Sequence, residues 1–220
     1  MRYERKYEFN IQDKKILEGL LLCQKFKEAF PKRNVNSIYY DDDDFSLFRD
    51  AEYGISNRQK IRIRFYDDGK SGLNLEKKNR QGEFNWKDFE EINYNDDSNI
   101  LNLSTKYINH LEKNIIIPKT LNIKFKPKII VSYERNYFVS SDGFLRATLD
   151  NNIKYLDINP NSDNLEFRRM RYLEHAILEI KYDSNYSPEI KIIEAIVDKL
   201  NLILSRSSKY CKGISLLYNI

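Results

Sequence analysis

The chain has 220 residues, 32% of them charged, and 37 Lys and Arg against 33 Asp and Glu leave a net charge of only +4. That balance excludes a bulk nucleic-acid coat, because any bound anion would have to meet positive charge that is concentrated locally. Leu, Ile, Val and Phe supply 64 residues, well above the roughly 20% below which disorder is expected, so a core can form with charge to spare.

In chain order, residues 3–9 (YERKYEF) alternate and predict a strand. Ile16, Leu17, Leu20, Leu21 and Leu22 at helical spacing predict a helix over 13–29, stopped by Pro31. Ser37–Asp41 predicts a second strand. The acidic run Asp41–Asp44 could hold a metal, but a solvated turn capping a short helix is the simpler reading, with that helix closed by Gly54 after Tyr53. Lys60–Tyr66 alternates strictly, residues 67–72 (DDGKSG) form a turn, and Leu73–Arg80 returns as the second strand of a hairpin. Ser98–Lys113 carries a helical apolar pattern. Ile129–Val139 is a strand that turns at Ser140–Gly143 into Phe144–Asp150, with further strands over 153–158 and 175–182. A last helix has Ser187 as cap, Pro188 as first residue and an apolar stripe from Ile192 to Ile203.

No repeat or linker divides the chain, so one domain over 1–220 is expected. Charge from Arg2 onward and the break of Leu20–Leu22 by Cys23-Gln24-Lys25 argue against a signal peptide, and no apolar stretch reaches the roughly 18 to 20 residues of a membrane span. Two cysteines without paired spacing, Cys23 and Cys211, suit reduced thiols and a cytoplasmic protein. No G-x-G-x-x-G occurs, and Gly69-Lys70-Ser71 has Arg64 where a phosphate-loop glycine would stand.

The alternation carries the functional signal. Ile61, Ile63 and Phe65 share one face of their strand, and Arg62 and Arg64 share the other. The same parity groups Arg2, Glu4 and Lys6; Glu76 and Lys78; Tyr133 and Arg135; Arg146 and Thr148; Glu179 and Lys181, mostly opposite apolar residues such as Leu75, Leu178 and Ile180. An open sheet with one solvated face would give such a pattern in any single strand. Its recurrence in six strands favours a closed barrel with a polar interior and helices outside. Nine cations (Arg2, Lys6, Arg62, Arg64, Lys78, Arg135, Arg146, Lys181, Lys209) then face three glutamates (Glu4, Glu76, Glu179). Such an excess needs an anionic guest. Arginine forks suit phosphate, and glutamates suit a hard cation that shares phosphate oxygens.

The ordered segments RYERKYEF, RIRFY, LEKK, SYERNYF, LRATLD, LEIKY and SKYCKG resemble the catalytic domain of the vacuolar transporter chaperone (VTC) polyphosphate polymerases, within the triphosphate tunnel metalloenzymes. The resemblance implies an α+β fold, an eight-stranded antiparallel tunnel barrel that transfers the terminal phosphate of ATP to a growing polyphosphate. It implies a first-strand lysine at Lys6, paired arginines at Arg62 and Arg64, a lysine at Lys78, and a second phosphate clamp at Tyr133, Arg135 and Arg146. It further implies a metal-binding glutamate at Glu179, and Ser208 with Lys209 at the far end of the tunnel, where Lys209 would serve the acceptor. Arg2 departs from the E-x-E-x-K opening of the wider superfamily, which disfavours its hydrolase branch.

Chain extension by an already anionic phosphate needs positioning and neutralisation more than a general base. On this reading Arg62, Arg64, Arg135 and Arg146 hold ATP; Lys6, Lys78 and Lys209 stabilise the transferring group and acceptor; Tyr133, Lys181 and Ser208 bind substrate. Glu179, with Glu4 and Glu76, anchors Mn²⁺ or Mg²⁺. A phosphohistidine at His175 is the weaker alternative, since the acceptor needs no covalent relay; Cys211 reads as a packing residue. The expected partners are ATP and inorganic polyphosphate, with no nucleic acid, and any membrane contact would come through a membrane-associated partner. A triphosphate hydrolase, a nucleotidyl cyclase and a non-catalytic polyphosphate-binding module are the competing classes.

Overall fold

The computed structural model describes residues 2–67, 73–92, 125–158, 167–183, 188–206 and 208–220. Among them the chain is α+β and mostly antiparallel, and its contacts gather into two compact units.

One unit comprises residues 1–34, 133–153 and 172–207. Its sheet is founded on β1 (Arg2–Asn10), which pairs antiparallel with β9 (His175–Asp183) from Arg2↔Asp183 to Asn10↔His175, while β10 (Ile203–Leu204) takes the other edge of β1. β9 in turn pairs with β7 (Arg146–Ile158). Period two sends Tyr7, Phe9, Ala147, Leu149, Leu178 and Ile180 to one face, where they are buried with Leu17 and Leu21 of α1 (Lys14–Cys23) and with Ile193 and Ile196 of α3 (Pro188–Lys199). The opposite face receives the charged residues of the same strands.

The other unit comprises residues 35–132, 154–171 and 208–220. The end of β2 (Phe26–Asp41), β3 (Asn57–Tyr66), β4 (Leu73–Gln81) and β5 (Phe84–Ile92) form an antiparallel meander. Ile38, Ile61, Ile63, Phe65, Leu73 and Leu75 fill its core with Leu47 of α2 (Ser46–Glu52) and Ile130 of β6 (Lys126–Ser140). Asp41 is fully buried and accepts from the amides of Leu47 and Phe48, each at 3.0 Å, and from the Tyr210 hydroxyl of α4 (Lys209–Tyr218). The acidic run therefore caps α2 as expected, but its first carboxylate is a buried anchor and not a solvated one.

Strand pairing follows β10-β1-β9-β7-β6-β2-β3-β4-β5, with β8 (Phe167–Tyr172) beside β7. Ten strands are present among the described residues against the eight expected, and the pairing among them runs as an open path. The helix expected over 13–29 ends at Cys23, because Lys25 takes a left-handed φ of 63° and Phe26 begins a sixteen-residue strand that admits Pro31 in an exposed stretch. The strands expected over 144–150 and 153–158 are one strand, β7, with Asn152 at φ 52° within it. β5, β8 and α4 were not expected. The 68–72 turn, the helix over 98–113 with His110, and the Ser187 cap lie outside the described residues. Among the described residues no helix is long and apolar enough to cross a membrane.

Candidate functional site

In the meander, antiparallel register builds a cationic cluster around one carboxylate. Arg62 stands opposite Glu76 on β4 and opposite Tyr39 on β2. Glu76 Oε2 accepts from Arg62 Nε at 2.7 Å and lies 2.5 Å from its Nη2; Oε1 accepts from Lys87 Nζ at 2.6 Å and lies 3.9 Å from Arg64 Nη1. Burial works against the Glu76 charge, but Arg62, Arg64 and Lys87 outweigh it and hold the carboxyl below the ordinary glutamate range. Arg62 Nη1 donates to the Tyr39 hydroxyl at 2.9 Å, and the Tyr39 ring stacks on Tyr210 at 5.0 Å. Burial raises the Tyr39 phenol, yet Arg62, Arg64 and Lys60 bring it below its ordinary value.

Lys60, one rung from Arg62 on the same face, stands opposite Lys78, which stands opposite Lys87. Its Nζ donates to Ser208 Oγ at 2.7 Å and sits 3.6 Å from the buried Cys211 Sγ, whose thiol burial pushes up. Ser208 is the N-cap of α4 and Lys209 its first residue. Ser208 therefore meets β3 at Lys60, on the strand that carries Arg62. Lys60, Lys87 and Tyr39 were missed. Lys60 and Tyr39 carry the parity of the polar face, which could have found them; Lys87 lies on β5, whose mixed pattern hides the strand.

In the other unit the charges are cross-paired. Glu4 stands opposite Lys181, and Lys6 opposite Glu179. Lys181 Nζ lies 2.6 Å from Glu179 and 3.9 Å from Glu4, and Lys6 lies 2.7 Å from Glu4. Glu179 is buried, which opposes its charge, but Lys181, Lys6 and Arg135 hold it at about 2. On β7, Arg146 stands opposite Lys181 and is exposed, and Thr148 stands opposite Glu179. The Thr148 hydroxyl is buried and finds no hydrogen-bond partner among the described residues; nor does the buried Ser37 hydroxyl, opposite Arg64 in the meander. Arg135 lies over the buried Tyr133 ring at 5.2 Å and donates two bonds to Asp150. His175 is exposed at the start of β9, and Arg2 opens β1.

Among the described residues no three His, Cys, Asp or Glu side chains converge on one point. Glu4 and Glu179 lie on neighbouring strands one rung apart, and the Glu179 charge is secured. This donor set fits a hard divalent cation that takes one or two carboxylates and completes its shell with phosphate oxygens and water. Glu76 offers less, since its two oxygens lie 2.5 and 2.6 Å from Arg62 and Lys87, whereas the second oxygen of Glu4 lies 3.9 Å from Lys181.

Residues 2–218 match the family model of the VTC domain. No curated protein matches the sequence. A protein of Pyrococcus horikoshii is similar in fold at a TM-score of 0.55 and 17% identity, over 99% of this chain and 100% of that one. A Hippeastrum protein described by an adenylyl cyclase assignment and a dominant triphosphatase activity gives 0.56 and 15%, over 98% and 96%. A Vibrio parahaemolyticus protein assigned as an adenylate cyclase gives 0.52 and 11%, over 97% and 98%.

Proposed function

The chain belongs to the VTC domain family, and on that premise we propose that it is a metal-dependent phosphotransferase that moves the γ-phosphate of ATP onto a growing inorganic polyphosphate chain. The observation that carries this reading is the composition of the polar faces. In each unit, register gathers arginine and lysine around a buried glutamate, and a hydroxyl with no hydrogen-bond partner among the described residues stands on the same face. Fixed forks and neutral donors of this kind recognise phosphoryl oxygens.

The acceptor oxygen is anionic before reaction, so the barrier lies in bringing two anions together in line. Arg62, Arg64, Arg135 and Arg146 are assigned to the phosphates of ATP, and Lys6, Lys78 and Lys209 to the transferring group and the acceptor. Tyr133, Lys181 and Ser208 complete the substrate contacts. Glu179 and Glu4 are the residues that would hold Mn²⁺ or Mg²⁺, which when bound would neutralise phosphate charge. Glu76, engaged by Arg62 and Lys87, is assigned to orienting Arg62 rather than to the metal. Closure of the strands into a tunnel barrel belongs to this proposal, and a structure with bound polyphosphate tests it.

A hydrolase is the competing reading, favoured by the fold it shares with the Hippeastrum protein. The chain incubated with ATP and Mn²⁺ should yield ADP and lengthening polyphosphate on a gel. Orthophosphate alone would give the hydrolase, pyrophosphate with cyclic nucleotide a cyclase, and binding without turnover a non-catalytic module. Glu179→Gln should abolish turnover while keeping the fold, since it removes a ligand charge without adding bulk. Unchanged turnover in that variant would move the metal to another carboxylate.

A further inference from the structure

Asp150 has no part in the reaction described so far. It ends the LRATLD segment, shares the polar face of β7 with Arg146 and Thr148, and is fully buried. A buried carboxylate is tolerable only when paired and hydrogen-bonded. Asp150 is paired side-on: Arg135 Nε donates to Oδ1 at 2.5 Å and Nη2 to Oδ2 at 2.7 Å.

That geometry divides the guanidinium. Of its five N–H groups, two are spent on Asp150, and the end-on edge formed by Nη1 and the second N–H of Nη2 still matches a phosphate or carboxylate fork. The Tyr133 ring at 5.2 Å packs against the cation, and Glu179 is near enough to contribute to the field on it. Because Asp150 cancels the Arg135 charge, this arginine adds direction to the site more than net charge.

We propose that Asp150 is a positioning residue that locks the Arg135 guanidinium side-on, so that its end-on edge is presented to a phosphoryl oxygen beside Glu179. The proposal rests on the phosphotransfer reading and deepens it. A lock of this kind saves the rotational freedom an arginine would otherwise lose on binding each phosphate, which is why misplacement of a positioning contact is felt far beyond its own strength.

The test uses the full chain with Asp150→Asn, Arg135→Gln and the double variant, tripolyphosphate affinity by titration calorimetry, and the Arg135 Nε–H resonance by ¹⁵N NMR, assigned by its loss in Arg135→Gln. In the wild-type chain that proton should exchange slowly. Asp150→Asn should bring it towards the bulk exchange rate and weaken tripolyphosphate binding by roughly tenfold to a hundredfold. Arg135→Gln should cost about as much, and the double variant no more than either, since both remove one unit. Wild-type affinity in folded Asp150→Asn, or losses that multiply in the double variant, overturns the proposal. If Asp150→Asn does not fold, Asp150→Glu decides the matter: it keeps the charge and shifts it by one methylene, so weakened affinity supports the lock and unchanged affinity overturns it. A wild-type chain that binds no tripolyphosphate sinks the phosphotransfer reading, whereas a wild-type Nε–H exchanging at the bulk rate sinks the lock by itself.

Discussion

Glu179 is a buried carboxylate that Lys181, Lys6 and Arg135 keep charged, and this has a consequence for acid stability. Its folded value near 2 lies below the ordinary 4.5, so the pairing stabilises the fold fully above pH 4.5 and loses that contribution as pH falls towards 2. The whole shift corresponds to about 3 kcal/mol, of which about 2 kcal/mol should be gone by pH 3. Urea unfolding of the wild-type chain from pH 6 to pH 3 should show that loss, and Glu179→Gln should flatten it. Parallel pH slopes in the two proteins would mean that Glu179 is not what the acid limb reports. At the same scale, charged residues on the polar faces were legible from parity alone. Which partner each cation meets was not, because Arg62 meets the Glu76 carboxylate and Lys60 the Ser208 hydroxyl through register and packing across 14 and 148 residues of sequence.

Two glycines in helices make opposite demands on the elements that carry them. A Cβ at Gly213 of α4 would lie 2.6 Å from Tyr155 Cδ1 and 2.7 Å from Ile129 Cδ1, so the helix approaches β7 and β6 as closely as only glycine allows. Gly213→Ala should destabilise the chain by about 1 to 3 kcal/mol through forced displacement of that ring and methyl. A Cβ at Gly19 of α1 would meet nothing within 4 Å, and the position is exposed. Gly19→Ala should stabilise by roughly 0.5 to 1 kcal/mol through helix propensity. Thermal melts of both variants check the pair, and effects of equal sign would contradict the packing described for α4. The sequence hid this helix behind the loop-like Ser205–Ser208 run, and the stripe of Tyr210, Cys211, Ile214 and Leu217 has meaning only once Ser208 caps it and Gly213 seats it.

At the scale of the whole molecule, a net charge of +4 conceals the concentration of cations on particular strand faces. If those faces bind phosphate chains, tripolyphosphate at about a hundred times its dissociation constant should stabilise the chain by about 2.7 kcal/mol. For a protein of this size that raises Tm by roughly 5 to 10 °C, and the shift should shrink as salt screens the ionic contacts. Orthophosphate at the same concentration should do much less, because it spans fewer cations. Differential scanning fluorimetry reads all three quantities, and an unchanged Tm with tripolyphosphate would remove the substrate class from the proposed function.

The amino-acid sequence alone determined the polarity of the strand faces, from Arg62 and Arg64 opposite Ile61 and Ile63 to Glu179 and Lys181 opposite Ile180. Side chains alternate along a strand whatever it pairs with, so this needs only local backbone geometry. The ordered motifs also carried the family. Tertiary structure decided how many strands pair, that Ser208 comes to Lys60 on the strand of Arg62, and that Arg135 is spent side-on against Asp150. Those outcomes depend on distances of a few ångströms between strands remote in sequence, and such distances are set by register and core packing, which no local pattern encodes.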